Sequence, residues 1–445
     1  MIQKIRRFFF ENTGTKQTII KNTFWLIAGE FGMRILKLFL FIYATRKLGI
    51  TEWGLFSYTL AVMGFFGIIS DIGINSVLLR ETAQGKARQP EYISTSFFLK
   101  LGLSVFSSLS LLCVIIFLAD DSSVKVLIPL VATLLLFESI QDFGFSLNRA
   151  FERMEVETII KIGSTILLVT LGFIFIEYSP KSSSLLYAYV VSSIIGTIII
   201  YFRLRKHLSN LISNFKEKLL LPIWKEAWPL GTATALGGMM ATTDIIILGW
   251  YSSVEQIGIY SAAQKLALII YLLPTLLGVA ILPTLSKLAA SDLNKMRIMV
   301  NKVTKYSVIF TLPIIIGCFL FGDFVFNLLF GEEYAESASV FRIMSLAIVT
   351  IAPSTLISNA MFAEGKQNKL IRFVFVSLAI NIILCLLAIP YFGIEGAAVS
   401  STVAYIVGNL MLINKYRKLE SIPSEQLRQK TGATFSEHEI VRKTL

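Results

Sequence analysis

Charged residues, histidine and cysteine are all scarce in this chain. Only 16% of its 445 residues are Asp, Glu, Lys or Arg, too few to cover the surface of a water-soluble protein. The two histidines, His207 and His438, argue against a histidine-based metal site, and the three cysteines are spaced for neither a metal site nor a disulfide framework. The chain lacks a Gly-rich phosphate loop and a soluble nucleotide-hydrolysing domain, so we expect no cofactor and any transport to be secondary.

Long apolar stretches, in contrast, fill most of the chain. Hydrophobic residues make up 55% of it, and the mean hydropathy is +0.70, as in proteins that cross a membrane many times. Twelve stretches come close to the ~20 residues that span a bilayer as a helix. The predicted spans are 22–47, 54–79, 93–118, 124–147, 158–176, 185–202, 227–250, 258–283, 303–321, 335–360, 370–389 and 396–413.

Lysine and arginine are concentrated in every second gap between these stretches. Seven basic clusters alternate with six gaps that together hold only Arg46, Lys47, Lys125 and Lys181. Because cytoplasmic loops carry the positive excess, this alternation predicts an even number of spans with both termini in the cytoplasm. The formal net charge of +12 then sets orientation and attracts anionic lipid heads, and no nucleic-acid partner is expected.

The predicted fold is an all-α polytopic membrane protein with twelve transmembrane helices in two six-helix lobes. Its parts are a cytoplasmic N-terminal segment 1–21, an N-lobe 22–202, a cytoplasmic linker 203–225, a C-lobe 226–413 and a cytoplasmic tail 414–445. The linker mixes apolar Leu211, Ile212 and Phe215 with Lys216 and Lys218. Such a mixture suits an amphipathic helix on the inner membrane surface.

A short internal echo supports the division into halves. Residues 52–57 (EWGLFS) open the second predicted span, and residues 256–261 (QIGIYS) open the eighth. Each follows a short outer loop after the first span of its half. Two halves in the same orientation imply a parallel repeat about an axis along the membrane normal.

Charged and polar residues inside the predicted spans mark the candidate site. An ionised side chain at mid-bilayer costs roughly 2.5–3.5 kcal/mol on insertion scales, so such residues usually face a bundle interior or a wet cavity. Both halves contribute them, and we expect a central polar cavity between the halves. The candidate substrate-binding residues are Arg34, Lys37, Lys265, Gln264, Arg342 and Asn75; the candidate coupling groups or charge partners are Glu30, Asp71, Glu138, Asp142 and Asp244.

Structural roles compete with this interpretation. Glu30 and Arg34 are one helical turn apart and could form a structural ion pair. Arg342 lies near an outer helix end, where its side chain could extend to the interface. Lys100 and Lys161 lie near inner helix ends, which favours an interfacial position.

Several loose motifs, in order along the chain, carry a resemblance to a known family. They are 22–25 (NTFW), 48–57 (LGITEWGLFS), 149–155 (RAFERME), 244–249 (DIIILG), 257–266 (IGIYSAAQKL), 282–286 (LPTLS), 329–334 (LFGEEY) and 393–398 (GIEGAA). With them the chain, from about 22 to 413, resembles Wzx-type flippases of polysaccharides and lipid-linked oligosaccharides. These belong to the multidrug/oligosaccharidyl-lipid/polysaccharide (MOP) transporter superfamily.

The resemblance implies a V-shaped pair of six-helix lobes that work by alternating access in the inner membrane. Its substrate would be a polyprenyl-diphosphate-linked glycan such as an O-antigen unit, moved from the inner to the outer leaflet. Basic cavity residues would hold the diphosphate, with Lys265 inside a matched motif. A proton or sodium ion could couple transport, and a polysaccharide polymerase and glycosyltransferases are expected partners. The predicted twelve spans argue against the lipid II flippase branch, which has more.

Two other classes of protein remain as alternatives. A cation-coupled multidrug antiporter should have an acidic cavity with few bases, and Arg34, Lys37 and Lys265 count against it. A membrane polymerase or ligase of lipid-linked sugars is an enzyme and needs a large outer loop with catalytic acids. One outer acidic pair, Asp120 and Asp121, could serve such a role, but it lies in a loop of only a few residues.

The charge alternation makes a first testable prediction. Single cysteines placed in the loop 203–225 and after Leu445 should both be inaccessible to a membrane-impermeant maleimide in intact cells, and reactive once the cells are opened. A cysteine placed beside Lys181, in a gap with few basic residues, is the control and should react from outside. Labelling of either predicted cytoplasmic site in intact cells would overturn the topology.

Overall fold

The computed structural model describes residues 14–83, 90–118, 122–205, 208, 210–366 and 369–420. In this part of the chain the regular secondary structure is entirely helical. In chain order the helices are α1 (Thr15–Asp71), α2 (Ile74–Ala83), α3 (Pro90–Leu118), α4 (Ser122–Ala150), α5 (Met154–Tyr178), α6 (Ser182–Leu204), α7 (Leu211–Asn214), α8 (Glu217–Tyr251), α9 (Val254–Ser291), α10 (Leu293–Leu329), α11 (Ser337–Ser345), α12 (Ile348–Ala363) and α13 (Leu370–Glu420), with one 3₁₀ turn at Glu332–Tyr334. The predicted acidic loop pair, Asp120 and Asp121, and the tail from 421 lie outside the described residues.

Many of these helices can cross a membrane. Seven are long and apolar enough among the described residues, and the number rises to ten if each of three bent helix pairs forms one span. A multi-pass, all-α membrane protein, as the sequence predicts, is therefore confirmed. The number of twelve spans and the cytoplasmic position of both termini stay predictions.

Glycines interrupt the two longest helices. Gly49 in α1 has a φ of 73°, and Gly393 in α13 has a φ of 53°. A residue with a side chain rarely adopts a positive φ of this size, whereas glycine adopts it without a steric penalty. Both breaks fall where the sequence predicts a loop between two spans, so each long helix holds two predicted spans.

The described residues divide into two compact units. The first contains the described residues up to Ala262, with Asp323–Ser337 and Leu386–Ile394; the second contains Ala263–Gly322, Ala338–Cys385 and the described residues from Glu395. These units differ from the predicted lobes, because α8 and the start of α9 belong to the first unit. The lobe boundaries at 22–202 and 226–413 therefore stay a prediction.

The two segments of the internal echo lie against each other within the first unit. A Cβ atom added to Gly54 would lie 2.0 Å from the carbonyl oxygen of Val254, and one added to Gly258 would lie 2.1 Å from that of Ile50. The contact is reciprocal, because Ile50 and Val254 each precede their glycine by four residues. Such distances exclude any side chain at either glycine, so α1 and α9 touch through their main chains.

Other residues of the same segments are also engaged. A carboxylate oxygen of Glu52 accepts a hydrogen bond of 2.7 Å from the backbone N–H of Ser182, at the start of α6. That N–H group has no partner within its own helix, so Glu52 satisfies it. In the second segment, the hydroxyl of Tyr260 donates a 2.6 Å hydrogen bond to Asp244. The two motifs hold neighbouring helices in place.

A second close approach lies at the other end of the same α1 segment. Gly73 has a φ of 85°, and a Cβ atom there would lie 2.2 Å from the carbonyl oxygen of Ala227. A Cβ atom on Gly231 would lie 2.2 Å from the carbonyl carbon of Ile72. The segment that follows Gly49 is thus held by backbone contacts at both of its ends, to α9 at one and to α8 at the other.

The linker 203–225 differs from its predicted form. Its described part contains the end of α6, the separate four-residue helix α7 and, from Glu217 onward, the beginning of α8. The backbone N–H of Lys216 donates a hydrogen bond of 3.1 Å to the hydroxyl of Thr95 on α3. The sequence pattern of mixed apolar and basic residues fits this arrangement as well, because it does not distinguish a separate surface helix from the first turns of a spanning one.

The glycine contact generates a stability prediction. Gly258→Ala should lower the stability of the detergent-solubilised protein by roughly 1–3 kcal/mol, because the added methyl meets backbone that cannot repack. Gly163→Ala on α5 is the matched control, since a Cβ atom there meets nothing within 4 Å. That control should be neutral or more stable, as Ala favours a helix. Thermal unfolding followed by tryptophan fluorescence distinguishes the two, and equal melting temperatures would contradict the backbone contact.

Candidate functional site

Two carboxylates on α4 lie at the centre of the polar residues of the first unit. Glu138 and Asp142 are one helical turn apart and therefore share a face. Each lines two separate cavities. Neither carboxylate makes a hydrogen bond or salt bridge with any residue that the structure describes.

The first cavity has a volume of 330 Å³, and we name it the acidic cavity. Its charged lining consists of Asp71, Glu138, Asp142 and Lys100. Lys100 is 1% exposed, and its ammonium lies 2.7 Å from a carboxylate oxygen of Asp71. The salt bridge joins α3 to the end of α1 and compensates a charge that would otherwise be buried alone.

The second cavity has a volume of 240 Å³, and we name it the hydroxyl cavity. It is lined by Lys37, Lys161, Glu138, Asp142 and Tyr189, together with a group of uncharged polar side chains. That group is Gln141, Ser164, Thr165, Ser192 and Ser193. Helices α1, α4, α5 and α6 all contribute to its wall.

Of the two basic residues in this lining, Lys37 is the one without a salt bridge among the described residues. Its side chain is exposed, and it makes no hydrogen bond or salt bridge with any described residue. It is near enough to Glu138 for their charges to interact. Lys161, in contrast, is 2.8 Å from Glu157 and 3.5 Å from Glu30.

Lys161 belongs to a chain of ion pairs at one end of the first unit. Glu157 is fully buried and also accepts two hydrogen bonds from Arg149, of 2.5 and 2.8 Å. Glu30 faces Arg34 at 3.8 Å, with both side chains about half exposed. A half-exposed pair at this distance contributes little to stability, so the Arg34 guanidinium can exchange its partner at low cost.

The structure brings six of the predicted residues into this region. They are Glu30, Arg34, Lys37, Asp71, Glu138 and Asp142. Asn75 and Asp244 belong to the same unit but line neither cavity; Asp244 is buried and bonded to Tyr260. The remaining three, Gln264, Lys265 and Arg342, lie in the second unit.

The structure holds Lys100 and Lys161 in salt bridges within the first unit, and their interfacial depth in the membrane stays a prediction. Lys100 is buried against Asp71, and Lys161 is held between Glu157 and Glu30. Sequence position gives the depth of a residue in a membrane helix but not the direction in which it points. The sequence did contain a signal for these salt bridges, namely the acidic residues on α1, which need basic partners inside a membrane.

The charged lining differs between the two cavities. Three carboxylates and one ammonium line the acidic cavity, and two of each line the hydroxyl cavity. Acids therefore equal or outnumber bases in these described cavities. Within the described residues, no group of three His, Cys, Asp or Glu side chains could hold a metal ion.

Comparison with known proteins decides the family. The family described as "Polysaccharide biosynthesis protein" matches residues 19–289, which is more than half of the chain. The chain belongs to this polysaccharide biosynthesis protein family. A second family, described as lipid II flippase MurJ, matches residues 250–435.

Curated relatives of this family member are similar along most of their length. The "capsular polysaccharide biosynthesis protein CapF" of Staphylococcus aureus is 24% identical over 90% of this chain and 100% of its own. The "probable low-salt glycan biosynthesis flippase Agl15" of Haloferax volcanii is 22% identical over 86% of this chain and 80% of its own. A candidate O-antigen transporter of Shigella flexneri is also 22% identical, covering 91% and 99%.

Solved structures show that this polysaccharide biosynthesis protein has the fold of MOP transporters. The inward closed conformation of the lipid II flippase MurJ gives a TM-score of 0.70 at 17% identity, covering 90% of this chain and 88% of the other. An inward-facing multidrug resistance transporter of the MATE family gives a TM-score of 0.67 at 14% identity, covering 88% of this chain and 100% of the other. The predicted resemblance to the MOP superfamily is confirmed.

The buried salt bridge generates a second stability prediction. Asp71→Asn should destabilise the protein by about 3 kcal/mol, because the Lys100 ammonium then stays buried without its partner. The double variant Asp71→Asn with Lys100→Met should recover much of that loss. Glu30→Gln, which breaks half-exposed pairs, is the control and should cost under ~1 kcal/mol. Thermal unfolding in detergent measures all three, and equal losses for Asp71→Asn and Glu30→Gln would show that Lys100 does not depend on Asp71.

Proposed function

We propose that this protein is a flippase that moves a polyprenyl-diphosphate-linked oligosaccharide from the inner to the outer leaflet of the cell membrane. The observation that carries the proposal is the similarity, over nearly the full chain, to proteins described as a glycan biosynthesis flippase and an O-antigen transporter. The fold, shared with MurJ and MATE transporters, supports alternating access as the mechanism. No covalent reaction is part of the proposal.

The membrane topology that goes with this function has twelve spans and cytoplasmic termini. Ten candidate spans become twelve when α1 and α13 are each counted as two, as their breaks at Gly49 and Gly393 suggest. The substrate is assembled on the cytoplasmic face of the inner membrane. Glycosyltransferases there and a polysaccharide polymerase on the opposite face are the expected partners.

Lys37 and Arg34 are the residues of the first unit that we propose for the diphosphate. Both are exposed, Lys37 has no salt bridge in the described part, and Arg34 has only a long one to Glu30. A diphosphate loses its water in a membrane protein only if cations replace it. Lys265, Gln264, Arg342 and Asn75 stay predicted substrate residues.

In this proposal the carboxylates weaken the binding of the diphosphate to the basic residues and provide a site for a coupling ion. Bases alone would hold a diphosphate too tightly for release, and nearby acids weaken the hold. Glu138 and Asp142 have no salt-bridge partner in the described part and so can take up a proton or sodium ion. Asp71, Glu30 and Asp244 are already engaged, which favours charge-partner roles for them.

One observation favours a second candidate function. The acidic cavity, with three carboxylates to one ammonium, is what a cation-coupled multidrug antiporter would need for a cationic substrate. Uptake of ethidium into inside-out vesicles, driven by a proton gradient, tests this alternative. Uptake that depends on Glu138 would favour the antiporter over the flippase.

The flippase proposal generates a transport prediction. In vesicles that contain undecaprenyl diphosphate bearing a fluorescent sugar, the wild-type protein should expose the label to external dithionite. Lys37→Ala, Arg34→Ala and Lys265→Ala should each slow this exposure about tenfold or more, since one charge-assisted contact contributes roughly 1.5–3 kcal/mol. Lys125→Ala, an exposed lysine outside both cavities, is the control.

The double variant Arg34→Ala with Lys265→Ala gives the decisive result. Wild-type rates in this variant, at equal protein levels in the vesicles, would rule out a cationic role for both residues. The charge-swapped pair Glu30→Arg with Arg34→Glu adds a second comparison. It restores transport if the ion pair is structural and fails to do so if Arg34 contacts the substrate.

A further inference from the structure

An apolar groove lies between α5 and α6, at the end of the helix pair where α5 begins and α6 ends. It has a volume of 430 Å³ and is lined by five apolar residues and one arginine, namely Val156, Ile159, Ile160, Ile199, Phe202 and Arg203. The volume falls in the range of roughly 300–1,000 Å³ that is typical of ligand sites. None of the six residues lines the acidic cavity or the hydroxyl cavity, so this arginine groove is a separate feature of the first unit.

The open side of the arginine groove is apolar and faces the surroundings of the protein. Ile159, Ile199 and Phe202 are each about half exposed or more, whereas Ile160 and Leu204 behind them are buried in one hydrophobic cluster. Helices α5 and α6 are both long and apolar enough to span a membrane. Exposed isoleucine and phenylalanine on such helices lie against lipid acyl chains, so the groove opens toward the bilayer.

Three arginines lie at the same end of the helix pair. Arg203 lines the groove, Arg205 directly follows α6, and Arg153 directly precedes α5. All three side chains are exposed, and none of them makes a hydrogen bond or salt bridge with any residue that the structure describes. A guanidinium binds phosphate through two parallel hydrogen bonds. The arginines are therefore available for a phosphate beside the apolar surface.

The acidic residues nearby do not neutralise these arginines. Glu155 and Glu157, in the first turn of α5, are buried in salt bridges with basic residues of the interior. Glu152, next to Arg153, is exposed. Within residues 152–160 and 199–205, one exposed carboxylate thus stands against three exposed guanidiniums. The net charge at the end of the groove is positive and complements an anion.

Aromatic residues next to Arg203 indicate the depth of the groove in the membrane. Tyr201 and Phe202 are both more than half exposed, and their ring centroids lie 5.9 Å apart in an edge-to-face arrangement. Tyrosine is enriched at membrane–water interfaces, where its ring meets lipid and its hydroxyl meets water. The alternation of basic gaps predicts that this interface is the cytoplasmic one, whose leaflet carries anionic lipids.

We propose that the arginine groove binds one anionic phospholipid of the inner leaflet. Its phosphate contacts Arg203, and the first part of an acyl chain lies along Ile159 and Ile199. A phospholipid suits the site better than a free anion does, because five of the six lining residues are apolar. It suits the site better than a protein segment does, because the groove opens toward acyl chains. The bound lipid contacts both helices and goes beyond the proposed flippase function, since it stays in place and is not transported.

The test compares two phospholipids with the same acyl chains and different headgroups. Native mass spectrometry of the purified full-length protein in detergent measures the affinity for the first bound phosphatidylglycerol and for the first bound phosphatidylcholine. The wild-type protein should bind phosphatidylglycerol about tenfold tighter, because the choline cation is repelled by the three arginines.

Two variants assign the binding to the groove. Arg203→Gln should weaken the binding of phosphatidylglycerol about tenfold, since it removes one charge-assisted contact to the phosphate. Ile159→Trp fills the groove and should weaken the binding of phosphatidylglycerol about fivefold by excluding the acyl chain. Both residues are exposed, so the melting temperature of each variant without added lipid should equal that of the wild-type protein.

Each variant has a matched control elsewhere on the protein. Arg417→Gln removes another exposed arginine, which lies near the end of α13 and has no salt bridge with a described residue. Leu320→Trp enlarges an exposed apolar side chain on α10. Neither residue lines the groove, and both controls should keep the wild-type affinity to within about twofold.

Three results would overturn the inference. Equal affinities for the two phospholipids would show that the arginines do not select an anionic headgroup. Equal losses in Arg203→Gln and Arg417→Gln would show a general attraction of lipid to basic surface. Displacement of the bound phosphatidylglycerol by one equivalent of undecaprenyl diphosphate would assign the groove to a polyprenyl lipid instead. None of these results depends on transport activity, so this inference and the flippase proposal can fail separately.

Discussion

The salt bridge between Lys100 and Asp71 determines much of the arrangement of the first unit. An ammonium that is 1% exposed has to keep its carboxylate within contact distance, so α3 cannot rotate or slide freely against the end of α1. Asp71 is followed directly by the turn at Ile72 and Gly73 that packs on α8. The same ion pair thereby sets one wall of the acidic cavity and the position of the backbone contact beside it.

The mixed charges of the two cavities are consistent with a protein that must bind and then release a charged group. Basic residues alone would bind an anion so tightly that an anionic substrate would not be released. Glu138 and Asp142 stand between the cavities and act on both. A change in the charge of either carboxylate therefore alters the electrostatic potential in both cavities at once.

The sequence predicts the helical class, the loops in which the breaks at Gly49 and Gly393 fall, and most of the charged residues of the first-unit site. These features depend on two local patterns, the length of each apolar stretch and the charge within a span. The partners of Lys100 and Lys161 could not be predicted, because they depend on the rotation of each helix about its axis. The hydroxyl cavity was also missed, since serine on an apolar helix is common and only the packing of α4, α5 and α6 shows which serines meet.

The contact between Gly54 and Gly258 has a mechanical consequence. Side chains at an ordinary helix crossing absorb a small tilt by changing rotamer. Two main chains in direct contact have no such freedom, and any tilt moves a carbonyl oxygen at once. The joint between α1 and α9 is therefore stiff while it is seated and has no intermediate positions of low energy. A tilt of α1 against α9 would therefore have to separate the two main chains first, which favours a stepwise change over a gradual one.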